Sequence, residues 1–160
     1  DGISYKILHP LQGMLICAEF RDLFVPKGNP EAIFCTEDAL VVSVITAAAF
    51  TGRIPLFQLS IPEERLKEEN DVFDQQHITV EPDDDLFDLR GSTVAFIGNT
   101  NYSGLTLGTA MQYLQTRGVT HVMSGVLHEH PLVTIKADTV VGYTTAWVVH
   151  PWDYLLEDRF

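Results

Sequence analysis

The stretch Asn99-Thr100-Asn101-Tyr102-Ser103-Gly104-Leu105-Thr106 gathers side-chain amides and hydroxyls around one glycine. It stands between an apolar run, Ser92 to Ile97, and a segment whose apolar residues Leu107, Ala110, Met111 and Leu114 share one helical face. A loop that leads from a strand into a helix ends on N–H groups with no partner inside the helix. Gly104 lets the backbone approach a ligand closely, and the hydroxyls of Ser103 and Thr106 add donors, so the turn could hold a phosphate or another anion. The same residues allow a plainer reading in which Ser103 simply caps the helix.

Other residues suggest chemistry less directly. His128-Glu129-His130 at a strand end could present both imidazoles on one face, with Asp138 as a third metal ligand. The spacing is common by chance. Exposure in a loop accounts for it most simply, and contact with a base or other ligand next, so no metal is assigned. Trp147 could stack on a planar ring or sit in the core. Cys17 and Cys35 lie among apolar neighbours at no metal or redox spacing and read as small buried hydrophobes in a reducing compartment. His9, His77, His121 and His150 have no evident partner.

These residues hang on an alternation of β-rich runs and helical patterns, the mark of an α/β fold with a parallel sheet covered by helices. The pattern predicts a helix over Leu11 to Phe24 ended by Pro26, and a strand over Ala32 to Cys35. A buried helix follows over Ala39 to Phe50, closed by Gly52, and then a strand over Leu56 to Leu59. Pro62 to Glu69 is helical in composition, Ile78 to Val80 suggests an added strand, and Pro82 to Asp85 a turn. Ser92 to Ile97 is a strand, Gly98 to Gly104 a polar loop, and the next helix is capped by Gly118. Strands over His121 to Leu127, Thr139 to Val141 and Trp147 to Val149 complete the order. No repeat or long linker divides residues 1–160, so one domain is expected.

Composition narrows the partners. Hydrophobic residues make up 46% of the 160, enough for a core without disulfides, and no apolar run reaches the roughly 20 residues of a membrane helix. The net charge of −12 disfavours nucleic acid and anionic membranes. Eleven of the 22 acids fall in residues 61–90, against three bases. That stretch is either a solvated face or a dock for a basic partner. No leader pattern opens at Asp1, so a cytoplasmic setting is expected.

Val94 to Gly104 with Leu105-Thr106-Leu107 resembles the phosphoribosyl-pyrophosphate loop of type I phosphoribosyltransferases, an apolar strand, two acids and a Thr-Gly-x-Thr-Leu turn into a helix. Glu31 to Leu56 is similar to the family's first strand, pyrophosphate loop and helix. Asp138 to Asp153, with Trp147-Val148-Val149-His150-Pro151-Trp152-Asp153, looks like the tail of the small purine branch, which handles xanthine, guanine or hypoxanthine. The resemblance covers about 120 of the residues. It implies the family's parallel-sheet fold, with residues 61–85 as a flexible acidic flap over the site, and a homo-oligomer or a protein partner. It also implies a purine base stacked on Trp147, a phosphate at residues 100–106, and Mg²⁺ if the chain is active.

The departures fall where the chemistry should be. The family's two acids, which hold the ribose hydroxyls and, indirectly, Mg²⁺, are Gly98 and Asn99 here, and its next acid, a candidate for base catalysis, is Tyr102. The pyrophosphate loop Gly-x-Ala-Arg-Gly-Gly falls on residues 35–40, so that Thr36, Glu37 and Asp38 replace its centre and the Arg becomes Asp38. A carboxylate about 4 Å from a pyrophosphate repels it by roughly 4 kcal/mol per charge pair at an effective dielectric near 20. The Lys that reads the base has no close substitute among His128, Glu129 and His130. The expectation is therefore a catalytically degenerate phosphoribosyltransferase-like protein that binds a nucleotide or phosphate, or serves regulation or assembly. An active 6-oxopurine phosphoribosyltransferase is the alternative.

Overall fold

The computed structural model describes residues 4–61, 78–82 and 87–153. Helix α1 spans Pro10–Phe24, α2 Leu40–Ala47 and α3 Leu105–Thr116. The strands are β1 (Tyr5–Ile7), β2 (Ala32–Cys35), β3 (Leu56–Ser60), β4 (Thr79–Glu81), β5 (Thr93–Asn101), β6 (His121–Glu129), β7 (Thr139–Tyr143) and β8 (Trp147–Val149). Six of them form a sheet in the order β4-β3-β2-β5-β6-β7, parallel except for β4, which runs antiparallel to β3. β1 and β8 make a separate parallel pair.

Side-chain alternation along the buried strands divides the core into two layers. Ile33 and Cys35 of β2 and Ala95 and Ile97 of β5 pack with Cys17, Phe20 and Phe24 of α1 and Val42 of α2. Ala32, Phe34, Val94 and Phe96 point the other way, onto Leu107, Ala110 and Leu114 of α3. The α/β architecture with a parallel sheet is as expected.

Several local expectations are corrected. Residues 98–101 are not loop but the end of β5, held by pairing of Gly98, Thr100 and Asn101 with Val126, His128 and Glu129 of β6. The helix expected to run to Phe50 ends at Ala47, and it is not buried all round, because Leu40 and Val44 face solvent. His9 does have a partner: it caps α1, its Nδ1 accepting from the Leu11 amide at 3.3 Å while Gln12 Oε1 accepts from the His9 amide at 2.9 Å. Of the 61–85 segment, residues 62–77 and 83–85, including the helical reading of Pro62 to Glu69, lie outside the described residues. The added strand there is present as β4.

Candidate functional site

Strand order reverses at β2. The chain leaves β2 through α2 to β3 on one side, while β5, α3 and β6 build outward on the other. In open α/β sheets the crevice beyond the carboxyl ends of the strands at such a switch point is where ligands sit. Here that crevice lies between the Thr36-Glu37-Asp38 turn after β2 and the end of β5, so the fold brings together the two segments that sequence comparison singles out.

The turn and the strand end are tied to each other. Asn99 Nδ2 donates to the Asp38 carbonyl at 2.7 Å, and Trp152 Nε1 donates to the same oxygen at 2.9 Å. The Asp38 carboxylate accepts from Thr36 Oγ1 at 2.5 Å. Burial pushes the Asp38 carboxyl above the usual carboxylate range; the Thr36 bond opposes this and the nearby Asp153 charge adds to it. Glu37 lies in the same 3-10 turn, Glu37–Ala39.

Behind this bridge lies a polar cluster that pattern reading did not find. The His150 ring stacks on Trp152 with centroids 5.1 Å apart and stands 5.4 Å from the His128 ring. Its Nδ1 is 3.5 Å from Asn99 Nδ2 and 3.4 Å from Asp153 Oδ2, and its backbone amide donates to Asp153 Oδ2 at 2.7 Å. Asn99 Oδ1, His128 Nδ1 and His150 Nε2 are buried without a hydrogen-bond partner among the described residues. Burial, then the neighbouring His150 and Lys6, lowers the His128 pKa to about 4. The available signal was the placement of Asn99, His128 and His150 directly after apolar strand residues.

Each remaining candidate has a definite place. Tyr102 stacks face to face with Trp147, centroids 4.9 Å apart and planes 15° from parallel. Its hydroxyl donates to the Ala146 carbonyl at 2.6 Å and accepts from the Val148 amide at 2.9 Å. One face of Trp147 is thus covered by Tyr102, and the residue is 48% exposed. Ser103 Oγ accepts from the Leu105 amide at 3.2 Å, which is capping behaviour, and Gly104 takes φ +82° at the start of α3. Val133 and Ile135 roof this turn, their side chains 3.2 and 3.1 Å from where a Gly104 Cβ would stand. Thr106 is half-buried. Thr100 pairs with His128 in the sheet.

The 128–130 run does not converge. Glu129, fully buried, accepts from Asn101 Nδ2 at 2.9 Å and from the Ala137 amide at 2.8 Å, and Asn101 also donates to the Ile135 carbonyl at 2.8 Å. His130 Nδ1 accepts from the Leu132 amide, and the Asp138 carboxylate from the amide and hydroxyl of Ser124. Among the described residues no three His, Cys, Asp or Glu side chains gather as a metal site. An open depression of about 490 Å³ lined by residues 87–90 and 116–118 lies at the opposite end of the sheet.

Comparison with solved structures agrees with this architecture along nearly the whole chain. A purine phosphoribosyltransferase from Pyrococcus horikoshii superposes with a TM-score of 0.73 at 18% identity, covering 94% of both chains. The xanthine-guanine-hypoxanthine phosphoribosyltransferase of Helicobacter pylori gives 0.68 at 13% identity, covering 96% of this chain and 97% of its own. The fold is that of the type I phosphoribosyltransferases. A hypothetical protein from Neisseria gonorrhoeae with bound ppGpp shares this phosphoribosyltransferase-like fold, with a TM-score of 0.68 and 16% identity over 99% of this chain and 94% of that one. No family model and no curated protein matches the sequence. No helix among the described residues is long and apolar enough to cross a membrane.

The Mg²⁺ that the phosphoribosyltransferase fold implies can be tested against the residues present. Gly98 has no side chain, Asn99 offers in place of a carboxylate one neutral amide oxygen, buried, with its Nδ2 held by the Asp38 carbonyl, and the Tyr102 hydroxyl is engaged by the backbone of residues 146 and 148. The end of β5 aims no carboxylate into the crevice. These residues do not fit the metal.

Proposed function

We propose that this phosphoribosyltransferase-fold chain binds a purine nucleotide, or its phosphate, at the switch-point crevice and does not transfer phosphoribosyl groups, acting as a binding or regulatory module. The observation that carries the reading is the Asn99–Asp38 bridge. It joins the turn after β2 to the end of β5, which would have to part around a pyrophosphate, and it does so with an amide where ribose recognition calls for an acid. A nucleoside monophosphate asks less of the site: the Thr106 amide and hydroxyl at the start of α3 for the phosphate, and the solvent-facing side of Trp147 for the base. The Neisseria neighbour with ppGpp supports the use of this fold as a purine nucleotide holder.

An active purine phosphoribosyltransferase is the second reading, favoured by the near-complete overlap with the two named enzymes. One experiment separates the two. The protein is incubated with phosphoribosyl pyrophosphate, Mg²⁺ and each of hypoxanthine, guanine, xanthine and adenine, and nucleotide is sought; the expected result is none. Calorimetry with IMP, GMP, AMP and ppGpp should give dissociation constants in the high micromolar range, roughly −4 to −5.5 kcal/mol. Binding should be lost in Ser103→Ala/Thr106→Ala, and phosphoribosyl pyrophosphate should bind no more tightly than the monophosphates. Robust nucleotide synthesis sinks the proposal.

A further inference from the structure

A glycine at 104 opens one side of the backbone to close approach, and the chain itself fills that side. The connection between β6 and β7 lies there, with Val133 Cγ2 and Ile135 Cβ standing 3.2 and 3.1 Å from where a Gly104 Cβ would be. One turn along α3, Gly108 makes room for the tip of the same isoleucine, whose Cδ1 lies 2.8 Å from the corresponding position. Gly104 and Gly108 thus form a notch, and Ile135 is the knob in it. Two side chains latch this connection: Asn101 Nδ2 donates to the Ile135 carbonyl, and Glu129 Oε2 accepts from the Ala137 amide. The closure is nevertheless incomplete. Glu129 Oε1 is buried without a hydrogen-bond partner among the described residues, an unmet acceptor that water would satisfy once the segment lifts. Of residues 131–136 all but Val133 are exposed, Leu132 to 82% and Ile135 to 41% even in its notch, so little apolar area holds the segment down.

We propose that residues 131–137 form a lid over the start of α3, closed in this structure, which lifts out of the Gly104/Gly108 notch before a phosphate group reaches the backbone there. The inference rests on the phosphate position proposed above and adds the regulation of that site. The strands on either side are fixed by their pairing, Gly125 to Glu129 against Thr139 to Tyr143, so the movement is confined to the connection between them. Opening is a cost that every phosphate-bearing ligand shares, because the apparent dissociation constant is the intrinsic one divided by the fraction of open molecules. The lid covers the place of the phosphate and not the free side of Trp147. It therefore scales the affinity of all such ligands by one factor and leaves their order unchanged.

Ile135→Ala removes the knob, and Gly108→Leu fills the notch with a side chain that favours the helix. Hydrogen exchange at the Ala137 amide reads the opening without any ligand, and calorimetry with IMP and with inorganic phosphate reads its consequence. Both variants should exchange the Ala137 amide faster than the unaltered protein does, with the β5 amides unchanged, and should bind both probes about fivefold or more tightly, by the same factor. Leu132→Ala, at the exposed tip, should alter neither measurement. Equal or weaker affinity in variants whose Ala137 exchange is accelerated would overturn the lid and leave the binding reading standing. Unaccelerated exchange in both variants would overturn the lid as well. Binding of neither probe to any form, the open ones included, would instead overturn the binding reading, and the lid's role with it.

Discussion

The side-chain amide of Asn99 donates to the main-chain carbonyl of Asp38, sixty-one residues earlier, at 2.7 Å. One hydrogen bond thus closes the switch point between β2 and β5. Asn99→Asp removes the donor and sets a carboxylate facing that carbonyl beside the Asp38 and Asp153 charges. It should cost about 1–3 kcal/mol at pH 7. Urea unfolding measures it, and the loss should shrink as the new carboxyl protonates below pH 5. Unchanged stability at pH 7 would mean that the bridge contributes nothing.

Tyr102 holds β8 by its hydroxyl and covers Trp147 by its ring. In Tyr102→Phe the stack survives, but the Ala146 carbonyl and the Val148 amide each lose a partner. The expected cost is about 1–3 kcal/mol, with faster exchange at the Val148 amide and little change in Trp147 fluorescence. Tyr102→Ala should in addition shift that fluorescence to the red.

His128 gives the fold a dependence on pH. It is buried and neutral, with a folded pKa of about 4 against an ordinary 6.5; His150 and Lys6 add to the effect of burial. Below pH 6.5 the unfolded chain takes up a proton that the folded chain refuses. Stability is therefore fully present above pH 6.5 and declines as pH falls toward 4, by up to about 3 kcal/mol in all, less whatever solvent screens. His128→Gln should flatten this part of the stability profile measured by urea unfolding from pH 4 to 7. An equal slope in the variant would assign the effect to another group.

The tail is seated on α1 at Gly13, where an added Cβ would lie 2.7 Å from Pro151 Cγ and 3.2 Å from Trp152 Cζ3. Gly13→Ala should thus destabilise by about 1–3 kcal/mol, although alanine favours a helix by about 1 kcal/mol over glycine. A rise in Tm would show that Pro151 yields freely.

The sheet was legible because its strands announce themselves. Ala32 to Cys35 occurs as read, since a fully apolar run of this length suits a buried parallel strand, and Trp147 to Val149 also occurs as read, though as a partly exposed strand paired with β1 outside the main sheet. Residues 98–101 were hidden because Asn99 and Asn101 look like loop residues until Asp38, Glu129 and Ile135 are known to receive their amides. β1 was missed for a related reason. All three of its residues are exposed, and pairing with β8 alone defines it. The candidate site was legible as two segments but not as one place. His150, Asp153 and Trp152 complete it from the far end of the described chain, and no local pattern reports a partner so remote.

That remoteness orders events in time. Tyr5 pairs with Trp147 across nearly the whole described sequence, so this small sheet closes the longest loop in the structure for three registered pairs. Contacts of that separation are costly to close during folding, and a strand of three residues, all exposed, is among the first to open in the native state. The early amides of the chain must then wait for the last of the described strands, and the backbone that carries Trp147 and leads to His150 should exchange its protons with solvent well before the amides of β5 and β6 do.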